Sequence, residues 1–330
     1  MTHVITARNV NSALHDGLWY LKVAGVIESS RNGPVLVAPG PVLTEYQKPC
    51  ERALFSAARD ANPWLSLFEA LWMLAGRNDL AWLTQFTPRF AQFSDDGKTL
   101  HGAYGYRWRH WAGEVFVHDQ ITMIIDLLKR EPNTRRAVLM MWDPILDLNT
   151  NHKDLPCNDL CFFDRRNDQL NMTVCNRSND IFLGFFGKNY VHFGILQEYL
   201  AAHIGIPVGV YRQFSNNFHA YTEMPGYPSI DPVVIGEDDR YASGEVAPFP
   251  LVQDPKCFDI ELLRFMEDPL GDTAYEEPFF DFVASPMYAS WHDRKGKVNN
   301  GAFAAKAIAA TDWRLACLSW IDRKKKKKDV

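Results

Sequence analysis

The chain has 330 residues, of which 47% are apolar and 23% charged, and carries a net charge of -5. That is enough chain to bury the core of one large domain or two ordinary ones, with a globular rather than disordered composition. The mild acidity gives no general attraction to nucleic acid or to a membrane surface, no apolar run is long enough to cross a bilayer, and the N-terminus lacks the pattern of a signal peptide. Six cysteines without short paired spacings exclude a disulfide framework and a zinc site, and point to free thiols in a reducing cytoplasm.

In chain order, the first clear element is a helix over 62–75, "NPWLSLFEALWMLA". Asn62 caps it, Pro63 suits the first turn, and Gly76 ends it. A second helix is predicted over 118–130, where Ile121, Ile124, Ile125 and Leu128 form one stripe before Pro132. "RRAVLMMW" (135–142) has the β-rich, apolar character of a buried strand. "LNMTVCNR" (170–177) alternates Leu170, Met172 and Val174 with polar residues, as a half-buried strand does, and Cys161 and Cys175 fall among apolar neighbours as core thiols. A helix over about 189–204 is closed by Gly205 and Pro207. Residues 222–255, rich in Pro, Gly and acidic groups, are expected to run over the surface. A last helix is expected over 302–321, followed by a disordered lysine tail over 323–330. Mixed sheet with helices, α+β, is the fold class that fits, with residues 1–330 in one domain.

"DLPCNDLCFF" (154–163) places Cys157 directly behind a proline, and the residue alone does not separate a buried thiol from a nucleophile. Arg177 and Ser178 stand side by side, a pair able to hold a phosphate dianion but equally ordinary at an exposed strand end. Arg135 and Arg136 are consecutive on a predicted strand, so their side chains face opposite sides and do not easily enter one pocket of one subunit.

Taken together in order, these segments resemble the thymidylate synthases and the related pyrimidine hydroxymethylases, from about Arg31 to Tyr221. "FEALWML" resembles the helix of that family with a catalytic glutamate, implying Glu69. "GAYGYRWR" resembles its active-site tyrosine segment, implying Tyr104. "NTRRAVLMMW" is similar to the strand whose arginines reach the phosphate across a dimer, implying Arg135 and Arg136. "LPCN" is similar to the nucleophile motif, implying Cys157, and "NRSNDIFLG" to the phosphate motif, implying Arg177, Ser178 and Asp180. "NNFHAY" resembles the segment that holds the sugar hydroxyl, implying His219 and Tyr221. Arg31 joins the substrate set at the start of the resemblance. For folate, Trp72 and Trp82, with Phe90 and Phe93, are candidate walls, and Asp180 a further contact. The chemistry requires such groups: a pyrimidine C5 becomes nucleophilic only after a thiolate adds at C6, and nearby arginines favour the thiolate.

Three departures bear on the reaction. Asn158 follows the nucleophile where the synthases have histidine, which leaves base preference open and makes Asn158 a candidate in the water network. "FFGKN" replaces a shorter loop, and one inserted residue brings Asn189 onto the base-reading asparagine, with Lys188 and His192 beside it; without the insertion Lys188 takes that place. An amide there suits uracil, whereas the deoxycytidylate hydroxymethylases carry an aspartate. The C-terminal third differs from the synthases' sealing tail, and a less sealed site favours water over hydride at the exocyclic methylene.

The resemblance implies a three-layer α/β/α fold, a large mixed sheet packed back to back in a homodimer with shared active sites, methylenetetrahydrofolate as co-substrate and no metal. The expected reaction is hydroxymethylation at C5 of a pyrimidine nucleoside monophosphate, dUMP before dCMP or CMP, in a bacterial or phage-infected cell. The alternatives are thymidylate synthesis proper, a Cys-His-Asn hydrolase using Cys157 and His219, and a nucleic-acid-binding module motivated by the lysine tail. The hydrolase leaves Glu69, Arg177 and Ser178 unexplained, and one lysine run on an acidic chain is weak support for direct nucleic-acid binding.

Overall fold

The computed structural model describes residues 2–30, 33–112, 116–223, 229–294 and 300–326. Six strands form a mixed sheet in the order His3–Ala7, Val42–Tyr46, Val208–Ser215, Gln169–Asn176, Asn158–Arg166 and Val138–Met140. The first two are parallel, as are Val208–Ser215 and Gln169–Asn176, and the remaining neighbours run antiparallel. Strict alternation in Val208–Ser215, with every second residue buried, fixes which side chains enter the core. The pairing of Asn158–Arg166 with Gln169–Asn176 is irregular between Asn158 and Leu160, immediately beyond Cys157. Such a break in the ladder re-aims the chain where the strand begins.

A smaller four-stranded sheet runs Asn179–Asp180, Phe218–Tyr221, Gly33–Val37, Val26–Ser30. Its register sets Asp180 opposite His219, and places His219 and Tyr221 opposite Val37 and Val35. Pairing of Val26–Ser30 with Gly33–Val37 makes this sheet from an N-terminal region for which the sequence reading assigned no element.

The helix Pro63–Leu74 begins with the Asn62 side chain accepting from the Leu65 N–H, as its sequence predicts. Every residue of it except Glu69 is buried, so the helix forms the centre of the core and presents one acidic group from an otherwise apolar surface. The short helix Tyr104–Arg109 crosses its last turn so closely that a Cβ on Gly105 would lie 2.0 Å from the Met73 carbonyl oxygen. The 118–130 prediction is matched by Gln120–Arg130, capped by Asp119, with the four predicted residues buried. Tyr190–Ile204 is closed by Gly205 at a φ of 83°, a conformation glycine adopts without strain. Ahead of it, Ile181–Asn189 winds as a π-helix.

Four expectations need correction. The strand predicted over 135–142 is only Val138–Met140, because the Met141 and Trp142 N–H groups both turn to the Asp159 carbonyl. Residues 229–255 do not simply skim the surface: Ile235, Tyr241, Val246 and Leu251 are buried anchors, and Tyr241 bridges the Ala53 N–H and Asp312. The helix expected over 302–321 is two, Gly301–Ala305 and Thr311–Lys326, since Ile308 and Ala310 drop into the core between them and Ala309 N–H reaches Phe282. The lysine tail is helical through Lys326, with Arg323 and Lys324 paired to Asp60, while residues 327–330 lie outside the described residues.

The contact of Gly105 with the Glu69 helix is backbone on backbone and has no flexible end to yield. Replacing Gly105 by Ala is expected to cost about 3 kcal/mol or more, at the upper end of overpacking costs, measured as a lowered denaturant midpoint.

Candidate active site

The main cavity, about 760 Å³, opens between the small sheet, the Glu69 helix, the Tyr104 helix and the loop that leads into Asn158–Arg166. It gathers Cys157, Arg177, Ser178 and Asp180 with Glu69, Tyr104, Asn189, His219 and Tyr221. Among these residues Glu69 and Tyr221, 152 positions apart in the chain, meet in one concavity. Trp72, Phe90 and Phe93 supply part of its apolar wall.

Cys157 sits at the turn that enters its strand. The Tyr104 hydroxyl accepts from the Cys157 N–H at 3.1 Å and from the Asn158 N–H at 3.3 Å, which fixes that turn. The Arg177 guanidinium donates to the Pro156 carbonyl at 2.7 Å and approaches Cys157 Sγ to 3.7 Å, while its plane lies over Trp142. A cation at this distance favours a thiolate over a thiol. Burial, with the neighbouring Cys157 next, pushes the Tyr104 phenol up, so its hydroxyl stays protonated and available as a hydrogen-bonding group. The other cysteines of the strand pair are different: Cys161 is fully buried and its thiol is pushed far up by burial, and burial also raises Cys175.

Glu69 is pushed up by burial, and the ammonium of Lys188, 3.1 Å away, opposes that shift. Lys188 also lies 4.3 Å above the Phe90 ring. His192 approaches the same carboxylate oxygen at 3.7 Å, and burial, with Lys188 second, holds its imidazole neutral. Lys188 and His192, which the sequence showed only as neighbours of Asn189, are therefore cavity residues in their own right. Asp154 is another that sequence reasoning passed over; it accepts from the Gly102 N–H at 2.9 Å, and burial raises its carboxyl. The Asn217 side-chain oxygen accepts from His219 Nδ1 across 2.7 Å and orients that ring, whose basicity burial lowers. None of these carried a motif strong enough to stand out from its surroundings.

Asn189 reaches the cavity from the end of the π-helix. A Cβ on Gly184 would come within 3.0 Å of its Nδ2 and 2.9 Å of Asn179 Oδ1, so the bare backbone at 184 gives both amides their room. Lys188 and Asn189, the two alternatives for one position, both line the cavity at the end of this wider turn.

Several predicted residues lie elsewhere. Asn158 does not line the cavity: as the first residue of the strand after the Cys157 turn it is fully buried, its side-chain oxygen accepting from Asn176. Trp82 is core, not wall, packed on Tyr288 with its indole N–H donated to the Phe68 carbonyl at 3.1 Å. Arg135 and Arg136 are exposed outside their own chain's cavity, and Arg136 pairs with Glu131. Arg31 lies outside the described residues, next to Ser30 on the cavity wall. Among the described residues no group of three or more His, Cys, Asp or Glu is placed to hold a metal ion, and no helix is long and apolar enough to cross a membrane.

Residues 58–226 match the family model described as thymidylate synthase, about half of the chain. The chain belongs to the thymidylate synthase family. Over 98% of its length it is 45% identical to the deoxyuridylate hydroxymethyltransferase of Pseudomonas phage M6, covering 94% of that protein. It is also 37% identical to the protein of the same name from Bacillus phage SP01, over 56% of this chain and 50% of that one. The namesake from Delftia phage PhiW-14 is 32% identical, over 66% of this chain and 62% of the relative.

Replacing Tyr104 by Phe leaves two N–H groups at the Cys157 turn without their acceptor. The expected cost is about 1–3 kcal/mol of stability, read from thermal unfolding, together with a fall in the rate at which Cys157 is alkylated by iodoacetamide.

Proposed function

We propose that the protein transfers a one-carbon unit from methylenetetrahydrofolate to C5 of dUMP and completes the reaction with water, giving 5-hydroxymethyl-dUMP. The observation that carries this reading is the placing of Cys157 beside Arg177 on the same cavity as Glu69 and Asn189. The near full-length similarity to a deoxyuridylate hydroxymethyltransferase supports the same substrate and product.

In this reading Arg177 and Ser178 bind the phosphate, His219 and Tyr221 hold the sugar hydroxyl, and the Asn189 amide pairs with uracil O4 and N3. Cys157 adds to C6, and the electrons released into the ring make C5 a nucleophile. The apolar wall of Trp72, Phe90 and Phe93 suits a flat heteroaromatic ring, and the cavity volume accommodates it beside a nucleotide. Methylenetetrahydrofolate, when bound there, supplies carbon at the oxidation level of formaldehyde. Tyr104, at the Cys157 turn, is placed to take part in removing the C5 proton through water, and Glu69 to relay protons at the pyrimidine carbonyl. Water then adds to the exocyclic methylene, so the product is hydroxymethyl and tetrahydrofolate is not oxidised. The free cysteines and the phage relatives support a cytoplasmic setting.

The exposed Arg135 and Arg136 find a role in a homodimer with shared sites, each reaching the partner's phosphate position. Their place outside their own cavity and the family's paired arginines support this reading.

Incubation with methylenetetrahydrofolate and dUMP, dCMP or CMP separately, with product mass and dihydrofolate both followed, tests the reaction. Hydroxymethyl-dUMP without dihydrofolate is expected, and Cys157→Ala is expected to abolish it while nucleotide binding persists. A methyl product with equal dihydrofolate would instead mean thymidylate synthesis. For the shared site, inactive Cys157→Ala and Arg136→Ala chains unfolded and refolded together should regain roughly a quarter of wild-type activity, as half the dimers carry one intact site. No recovery would place Arg136 outside the partner's site.

A further inference from the structure

The Asn189 side chain lines the cavity and makes no hydrogen bond to any described residue. An amide that nothing fixes can turn over. One way round it serves uracil O4 and N3–H; the other way it serves cytosine N3 and the amino group. Asn189 by itself therefore takes either base. Glu69, when ionised, is an acceptor only, which suits an amino group better than a carbonyl oxygen.

Lys188 reverses that balance. Its ammonium stands 3.1 Å from Glu69 Oε2 and 4.3 Å above the Phe90 ring, with no other hydrogen-bonding or ionic partner among the described residues. Glu69 Oε2 is itself closed off from the cavity, as are both ring nitrogens of His192. The Lys188 side chain, by contrast, is 25% exposed and lines the cavity. An ammonium carries three donors and no acceptor, so donors remain beyond the one carboxylate. Such a group takes a carbonyl oxygen and opposes an amino group in every rotamer.

Resting on the nucleotide placement above, in which Asn189 and Glu69 meet the pyrimidine at O4, we propose that Lys188 reads the 4-position of the base, donating to O4 of uracil and excluding the amino group of cytosine. The same contact serves the chemistry. When Cys157 Sγ bonds to C6, the C5=C6 pair becomes C4=C5 and the C4=O pair comes to rest on O4, beside the ammonium. The electrons return by the reverse path when the thiolate leaves, so the contact consumes no proton or co-reactant. A flat ring stacked on Phe90 takes the face that the ammonium covers, which leaves Lys188 to the carboxylate and O4.

The test measures kcat/KM for dUMP and for dCMP, with methylenetetrahydrofolate, in wild type, K188R, K188Q and K188M. Wild type is expected to favour dUMP by roughly a hundredfold or more, and K188R, which keeps donors only, to stay within about threefold of that ratio. K188Q can turn its oxygen to the amino group, and K188M leaves Glu69 as the acceptor; each is expected to lower the ratio by roughly tenfold or more. The ratio is the readout because a fault in folding or folate binding lowers both substrates alike. Ratios for K188Q and K188M within about threefold of wild type overturn the proposal, as does a wild type that prefers dCMP. A methyl product overturns the hydroxymethyl reading and leaves this one standing, since the base is chosen before the methylene meets water or hydride. Turnover of neither nucleotide overturns both. Should the Lys188 variants fail to fold, binding to the Cys157→Ala chain decides: dUMP tightest, the pyrimidin-2-one nucleotide with hydrogen at C4 next, and dCMP weakest is expected. There, dCMP bound as tightly as the pyrimidin-2-one nucleotide overturns the proposal.

Discussion

The turn that carries Cys157 is held from two directions, and the rest of the site is arranged around that fixed point. Tyr104 receives the backbone N–H groups of Cys157 and Asn158, while Arg177 reaches back to the Pro156 carbonyl and to the sulfur. Tyr104 can do this only because its short helix lies backbone to backbone against the last turn of the Glu69 helix, at Gly105. Arg177 can do it because the strand Gln169–Asn176 runs antiparallel beside that of Cys157 and returns its end to the same edge. Cys157 and Glu69 are therefore positioned largely by the packing of two helices and one strand pair.

The same frame accounts for the electrostatics. Glu69 projects from a helix whose other residues are all buried, so its carboxylate has little water and depends on what the cavity supplies. Lys188 supplies a charge and His192 a neutral polar neighbour.

Much of this was legible in the chain because its motifs are contiguous and chemically distinctive. Asn62 with Pro63 marks a helix start by capping chemistry alone, and the Ile121–Leu128 stripe marks another by period. The order of the Glu69, Tyr104, Cys157, Arg177 and His219 segments carried the family resemblance, and all five line one cavity. What failed did so for local physical reasons. Apolar "RRAVLMMW" has the character of a longer strand, but the Asp159 carbonyl captures two N–H groups and ends the ladder early. Trp82 and Trp72 look alike in sequence and both are buried, but only Trp72 also reaches the cavity wall, while Trp82 packs among Phe68, Phe86, Phe265 and Tyr288. Asn158 is adjacent to Cys157 in sequence, yet it opens the strand and its side chain is taken into the core by Asn176. Asp154 and His192 are common residue types in unremarkable settings, and their significance lies in distances that no spacing encodes.

The π-helix at Ile181–Asn189 changes how a family of this kind can vary. Each residue of an α-helix turns the chain by about 100°, so one residue inserted inside a regular helix would rotate everything beyond it and wreck the packing of Tyr190–Ile204. A wider turn confines that rotation to itself. The buried helix keeps its register, while the short stretch before it presents a different set of side chains to the cavity. A change of length there would reset which side chains line the site, and its limit is set by Ile181, Phe182 and Phe186, which the same turn buries in the core.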